Sequence, residues 1–240
     1  MNTSPDVYLY NDKPLYKLTD IAKTVTWPDG SQHLVRRMML CDNPKRPPTI
    51  PDWLAPGDLL GWVESMDNLV RAGAGNFFSA SPPIVMDNAV VSGPHAKIGM
   101  DSAYVAVYEN AMVYGEAYIG GYWTEIHGNA KVGGNVSLGW SNEIFGNAEI
   151  SVDNKSRATF DSNVKIFENA RITVRNGAKL DVGKLVRMYG DSSVELNQPC
   201  PDSKPIRING GVRILGTAKI VGMRDFYENL CPPGYVHGVY

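Results

Sequence analysis

A three-residue motif recurs along most of this chain and constrains its fold more than any other feature. Each copy has a small or aliphatic residue, a variable residue and a larger aliphatic residue, as in Ala130-Lys131-Val132 and Ala148-Glu149-Ile150. Turn-forming pairs such as Gly128-Asn129 and Gly146-Asn147 separate the copies, and the commonest step is six residues. Because alternate side chains of a strand point to the same side, the first and third residues of each copy face inward. The pattern predicts many short, half-buried strands joined by turns that accept a positive φ.

Six-residue repeats of this kind are typical of a β-helical solenoid. Three such sides close a triangular coil of about eighteen residues, and successive coils stack at the ordinary strand spacing of about 4.8 Å. We therefore predict an all-β fold, a single-stranded β-helix of roughly six to eight coils.

One face of this predicted prism stacks outward side chains of alternating charge. Assigning the motif copies to three faces in rotation gives one column: Lys131, Glu149, Arg171, Glu195 and Lys219. Neighbouring strands favour opposite charges, so the alternation supports the register.

The chain divides into three segments. Residues 1–70 predict an N-terminal capping module, with a β-hairpin around Pro28-Asp29-Gly30 and a proline-rich loop between Asp42 and Pro56. Residues 71–222 predict the β-helix, and residues 223–240 a C-terminal tail or cap. Since the end of a solenoid exposes a sheet edge, we expect the first segment to cover that edge.

Composition excludes several functional classes. The 240 residues carry a formal net charge of -2, which gives no reason to expect nucleic acid or an acidic membrane as partner. No apolar stretch approaches the ~18 residues that span a bilayer, and the first ten residues do not resemble a secretion signal. Three cysteines without a CxxC pair (Cys41, Cys200 and Cys231) predict free thiols in a cytoplasmic protein.

Two stretches of the first segment resemble a known lead-in module. Residues 34–40 (LVRRMML) and 55–69 (APGDLLGWVESMDNL), followed by Gly-Asn-Ala repeats, are similar to hexapeptide-repeat proteins of the YdcK type, which are often labelled as transferases. The resemblance covers the chain from about Leu34 to Gly222 and departs from it in the proline-rich insertion. With the six-residue period it implies a left-handed β-helix. The transferase label rests on fold, which does not establish function, and no catalytic residue carries over.

Two histidines are candidates for catalysis. An acyltransferase of this fold class pairs a histidine general base with an acyl thioester, so acyl-CoA would be the cofactor and a trimer the active form. His127 follows the inward Ile126 at a corner, and His95 lies in a turn after Gly93-Pro94. The alternative is that both are ordinary corner residues. We predict no metal site, since His33 and His237 lie outside the repeats and the coils supply at most two histidines.

The N-terminal coils carry an unusual number of aromatic and methionine residues near outward positions. The candidate binding residues are Tyr104, Met112, Tyr118, Tyr122, Trp123 and Trp140. Such residues are enriched at protein interfaces, and a contiguous exposed apolar patch marks a contact. Either this patch binds a protein partner or a second copy, as a homotrimer or dimer, or the capping segments cover it.

The C-terminal coils are basic instead. Lys165, Arg187 and Arg213 are predicted to stack in one column without an intervening acid. This column is a weak candidate for binding an anion, and a solvated polar face is the alternative. The sequence as a whole favours a non-catalytic scaffold or protein-interaction module without a cofactor; the alternative is the trimeric acyltransferase.

Overall fold

The computed structural model describes residues 6–10, 12–26, 30–44, 47, 50, 52–69, 83–85, 87–93, 95–100, 105–121, 123–197, 205–208, 210–221 and 235–236. Within them the chain is a stack of parallel strands, a β-solenoid of about six turns, which confirms the predicted all-β solenoid class. The left-handedness of the coil stays a prediction. Among the described residues the only helix is the single 3-10 turn Met66–Asn68, and no helix is long and apolar enough to cross a membrane.

The cap contributes the first three strands, β1 (Val7–Tyr10), β2 (Lys13–Thr26) and β3 (Gln32–Leu40). The first solenoid face, face A, contains β4 (Leu59–Val63), β6 (Val90–Ser92), β9 (Met112–Tyr114), β12 (Lys131–Gly134), β15 (Glu149–Val152), β18 (Arg171–Val174), β21 (Ser193–Leu196) and β24 (Lys219–Val221). Face B contains β7 (Lys97–Met100), β10 (Tyr118–Gly120), β13 (Val136–Leu138), β16 (Arg157–Phe160), β19 (Lys179–Val182) and β22 (Ile206–Ile208). Face C contains β5 (Ile84–Val85), β8 (Val105–Val107), β11 (Thr124–Ile126), β14 (Glu143–Ile144), β17 (Lys165–Ile166), β20 (Arg187–Met188), β23 (Arg213–Ile214) and β25 (Tyr235–Val236).

Each solenoid strand pairs in parallel with the strands one coil before and one coil after it. β12, for example, pairs with β9 and β15. The chain turns at most of the described corners on residues with positive φ, among them Gly134, where an added Cβ would stand 1.5 Å from the carbonyl oxygen of Val152. Glycine is required there because the next coil passes directly over the turn.

The core runs along the solenoid axis. The inward residues of the motif, such as Ala130, Val132 and Ile150, are fully buried, as the alternation predicts. Burying each larger aliphatic side chain contributes ~1.5–3 kcal/mol, and small alanines alternate with them so that three strands fit around one axis.

The register of face A agrees with the predicted charged column at four positions. Lys131, Glu149 and Arg171 are successive partners, but Ser193 then takes the place predicted for Glu195, and Lys219 follows Ser193. The prediction for Glu195 was wrong because a buried serine, Ser192, fills the first inward position of that copy. Glu195 still reaches Lys219 diagonally, at 3.0 Å between Oε2 and Nζ.

The cap extends face A beyond its first coil. β2 and β3 form the predicted hairpin, and β3 pairs antiparallel with β4. Outside the main core, Val35, Trp62 and Val90 form a second buried cluster, and the Nζ of Lys23 lies 4.2 Å from the centroid of the Trp62 ring. The outward residue Val90 of the first face A coil is therefore buried against residues of the cap segment, while the candidate binding residues Trp123 and Trp140 are exposed.

Candidate functional site

Face C carries a column of charged side chains along its outward surface, and its two edges carry different kinds of side chain. Its outward side chains follow one another, strand by strand, in the order Ala106, Glu125, Glu143, Lys165, Arg187 and Arg213. The structure thus brings Lys165, Arg187 and Arg213 into adjacent strands, in the register that the sequence indicates. The column changes sign once, between Glu143 and Lys165, whose charged groups are in direct contact. The column is acidic on β11 and β14, which we call the acidic half of face C, and basic on β17, β20 and β23, the basic half, while Ala106 on β8 is fully buried.

The edge where face C turns into face A carries a stack of rings, which we call the ring ladder. Its members are Tyr108, His127, Phe145, Phe167 and Tyr189. Successive centroids lie 4.7–5.1 Å apart and the planes are within 9° of parallel. The rings are half-buried, because the rings of neighbouring coils cover both planes of the three inner members and one plane of Tyr108 and Tyr189. His127 occupies the predicted corner, but as a member of this stack.

A ladder of side-chain amides runs beside the rings, through the turns that follow them. Its members are Asn88, Asn110, Asn129, Asn147 and Asn169, and it ends on Asp191. Each amide donates to the side-chain oxygen of the next coil at 2.9–3.3 Å. The Gly-Asn pairs of the sequence therefore do more than permit turns: they join coils to one another.

Carboxylates surround His127. Its Nδ1 lies 3.8 Å from Oε2 of Glu109, and its Nε2 lies 3.7 Å from Oε1 of Glu143. Glu109 is itself held by the backbone N–H of Gly128, which donates to Oε2 at 2.6 Å. The hydroxyl of Tyr108 donates to Oε2 of Glu125 at 3.2 Å. Ligand atoms of Glu125, His127 and Glu143 all lie within 4.8 Å of one another, close enough for one metal ion.

The second candidate base lies elsewhere. His95 is exposed in the turn between β6 and β7, at the corner of faces A and B. The structure does not bring it near His127. Two surface grooves among the described residues, one on face A around Glu149 and Arg171 and one on face B around Lys179 and Arg207, do not include either histidine.

The described members of the predicted aromatic patch lie on different sides of the solenoid. Met112 is half-buried on face A and Tyr118 is half-buried on face B, because successive motif copies belong to successive faces. Trp123 and Trp140 lie together at the corner of faces B and C, where they are 64% and 60% exposed. Tyr104 and Tyr122 lie outside the described residues.

Leu185 belongs to the same corner and was not predicted. It is 61% exposed, and its N–H donates to the carbonyl of Ser162 in the coil that follows Trp140. Trp123 and Leu185 adopt φ values of 59° and 63°, a left-handed conformation that costs a bulky residue ~1–2 kcal/mol. We refer to Trp123, Trp140 and Leu185 as the tryptophan corner. A comparison of outward corner positions, in place of motif positions, would have found it.

Cys41 is a free thiol, as predicted, and burial raises its pKa. Cys200, Cys231 and His237 lie outside the described residues. Comparison with protein-family models and with curated proteins finds no match to this sequence. The solenoid class thus stands on the structure, while membership of the hexapeptide-repeat proteins of the YdcK type stays a prediction.

Proposed function

We propose that this protein is a non-catalytic β-helical interaction module that pairs with a second copy of itself through face C. One observation carries the proposal: the acidic and basic halves of face C are complementary to each other, while exposed apolar residues line the same edge in both halves. A surface of this kind is complementary to itself when one copy is turned end for end.

The pairing has a defined geometry. A two-fold axis in the plane of the interface, parallel to the strands and between β14 and β17, reverses the order of the coils but keeps each edge over the same edge. Glu143 then faces Lys165 of the second copy, and Glu125 faces Arg187. At the apolar edge, Trp123 faces Leu185 of the second copy. A parallel pairing would place acid against acid and is disfavoured.

The energetic contributions differ along the face. Tryptophan side chains supply most of the apolar area, at about 25 cal/mol per Å² buried, and are the residue type in which binding energy concentrates. The charged column sets orientation and the rate of encounter more than affinity. The left-handed strain at Trp123 and Leu185 fits this use, because it holds bulky apolar side chains in exposed positions at the corner.

Charge reversal with rescue tests the proposal. Light scattering at up to about 100 μM, above the affinity range of standard interfaces, should give a dimer for the unaltered protein. Glu125→Arg and Arg187→Glu should each give a monomer, and the double variant should restore the dimer because the two charges face each other across the axis. Neither side chain is buried, so folding is retained.

Tyr118→Glu, on face B, is the matched control and should leave the mass unchanged. A monomeric unaltered protein, or a double variant that stays monomeric, would overturn the proposal. A mass that falls with Tyr118→Glu would place the contact on face B instead.

A second candidate function is the acyl-group transferase, acting as a trimer on acyl-CoA. The observation that favours it is the pair of carboxylates beside His127, since Glu109 would orient the imidazole of a general base. Calorimetry with acetyl-CoA tests it. Saturable binding by a trimer, with turnover lost in His127→Phe, would support the enzyme; no binding at millimolar acetyl-CoA would exclude it.

A further inference from the structure

We infer that Glu125, His127 and Glu143 form a binding site for one divalent transition-metal ion, with Zn²⁺ the best match to the ligands. Every ligand comes from one chain, so the site does not require self-pairing; Glu125 and Glu143 also face basic residues of the second copy in the proposed pair, so pairing and metal binding compete for them. It follows from three features of the cluster: the spacing of the ligand atoms, the fixed orientation of the imidazole, and the local excess of negative charge.

The spacing follows from the strand geometry. Glu125 and His127 are two residues apart, so their side chains emerge on the same side of the chain. Glu143 is the partner of Glu125 in the next coil. The Nε2 of His127 and Oε1 of Glu143 are 3.7 Å apart, and tetrahedral zinc with bonds of about 2.0 Å needs its ligand atoms about 3.3 Å apart. Small rotations of the partly exposed Glu125 and Glu143 side chains would bring the ligand atoms to this spacing.

The imidazole is already oriented for this role. Tyr108 and Phe145 stack on its two sides, with centroids at 4.7 and 5.1 Å, and so fix the plane of the ring. The far nitrogen, Nδ1, faces Glu109, which the N–H of Gly128 holds in place. A carboxylate that accepts a hydrogen bond from the distal nitrogen of a metal-binding histidine fixes the tautomer and raises the basicity of the ligand; Glu109, at 3.8 Å from Nδ1, would need to move closer to make that bond. This arrangement leaves Nε2 for the metal.

The charge balance favours a cation. Three carboxylates, those of Glu109, Glu125 and Glu143, lie around His127, and the ammonium group of Lys165 contacts Oε2 of Glu143. Glu143 therefore divides its two oxygens, one toward Lys165 and the other toward His127. One imidazole with two carboxylates suits zinc better than magnesium or calcium, and three protein ligands leave a fourth position for water.

Metal titration of the intact chain tests the inference. Zn²⁺ titrated in a calorimeter should bind with one site per chain, and Co²⁺ in its place should give the visible absorption of a tetrahedral complex. His127→Phe keeps a ring in the ladder, as Phe145 and Phe167 do at the same corner, and removes the nitrogen ligand. We expect it to lose at least about 100-fold in affinity, with an unchanged melting curve as evidence that the fold is kept.

Two further variants and a control separate this site from nonspecific binding to surface acids. Glu109→Gln should weaken binding on the order of 10-fold, since it removes only the partner of Nδ1. Lys165→Met should strengthen binding, because it removes the cation that competes for Glu143. Glu195→Gln, on face A, should change nothing.

Equal affinities for the unaltered protein and His127→Phe, or no saturable binding by the unaltered protein, would overturn the inference. Arg187→Glu, the variant designed to stay monomeric, should bind zinc at least as tightly as the unaltered protein, because in the proposed pair Arg187 of the second copy faces the ligand Glu125. Failure of self-pairing and failure of the metal site are therefore separate results.

Discussion

The two edges of face C are built from the same coils but use their side chains in opposite ways. At the ring ladder, each ring is half-buried between the rings of the coils above and below. At the tryptophan corner, Trp123, Trp140 and Leu185 are each at least 60% exposed. Chain turns on left-handed residues are present at both edges, so the backbone alone does not create the difference.

The comparison indicates that the two edges of face C have different uses: the ring ladder stacks within the chain, and the tryptophan corner offers its side chains to another molecule. Side chains of the ladder stabilise the fold by contacting their own neighbours along the axis. Side chains of the tryptophan corner leave most of their apolar surface in water and so retain it for another molecule. Each prediction that follows tests one level of this comparison, beginning with the backbone that both edges share.

Gly121→Ala should give the largest loss of stability. An added Cβ would stand 2.2 Å from the carbonyl oxygen of Gly139, and the residue has φ of +87°. We expect the free energy of unfolding to fall by ~3 kcal/mol or more, since both strain and a backbone clash must be relieved. Gly177→Ala is the control: its φ is +82° with open space around the Cβ, so ~1 kcal/mol is expected. Urea denaturation measures both, and equal losses would mean that the tryptophan corner is loosely packed.

Phe145→Ala and Trp140→Ala compare the side chains of the two edges directly. Removing Phe145 breaks two ring contacts and should cost ~2 kcal/mol. Removing Trp140, which is largely exposed, should cost less than ~0.5 kcal/mol when measured at low protein concentration, where self-pairing does not contribute. A loss for Trp140→Ala as large as that for Phe145→Ala would remove the distinction between the edges.

Asn147→Ala tests the amide ladder that accompanies the rings. The side chain donates to Asn169 and accepts from Asn129, both at 3.0 Å, and losing two exposed hydrogen bonds should cost ~1 kcal/mol. Asn154, in an exposed turn outside the ladder, provides the control, and Asn154→Ala should be close to neutral. Thermal denaturation of the two variants compares them, and similar midpoints would show that the ladder adds nothing.

The smallest effect is expected at the third edge, where face A turns into face B. Burial opposes ionisation of Asp153, but hydrogen bonds from Ser156 and from the backbone N–H groups of Asn176 and Lys155 outweigh it and lower the pKa of this carboxyl below its usual value. Because the pKa is lowered in the folded state, the contribution is present above pH 4 and is lost as the pH falls further.

Asp153→Asn should therefore flatten the decline in urea midpoint between pH 5 and pH 3. An unchanged decline would show that other carboxylates, such as Asp6 beside Arg36, cause it.

Much of the fold could be predicted because its signal is local. Alternation within three residues is enough to place Ala130 and Val132 in the core, and a constant offset between coils is enough to align Lys165 with Arg187. The column containing Glu195 could not be predicted in this way, because a serine at an inward position hides the start of its motif copy. A serine can occupy an inward position next to a turn at little cost to the strand. A search for apolar residues at inward positions therefore misses this motif copy.

The site was harder to predict because it depends on corners. Glu109, His127 and Glu143 come from three successive coils and occupy different positions relative to their face C strands, so they meet only when the coils are aligned in three dimensions. The coils have unequal lengths: ladder partners are 18 residues apart at Asn129 and 22 apart at Asn147. Conversely, Met112 and Tyr118 are close in sequence but lie on different faces, so nearness along the chain overstated the aromatic patch.

The hairpin cap has a consequence for how the molecule comes apart. Among the described strands it joins the solenoid at one end, through β3 and β4, and each coil pairs only with its immediate neighbours. In a one-dimensional stack of this kind, opening can begin at one end and advance coil by coil. Amide hydrogen exchange should then rise in steps with distance from the cap, so that the protein loosens gradually from one end and the hairpin edge opens last.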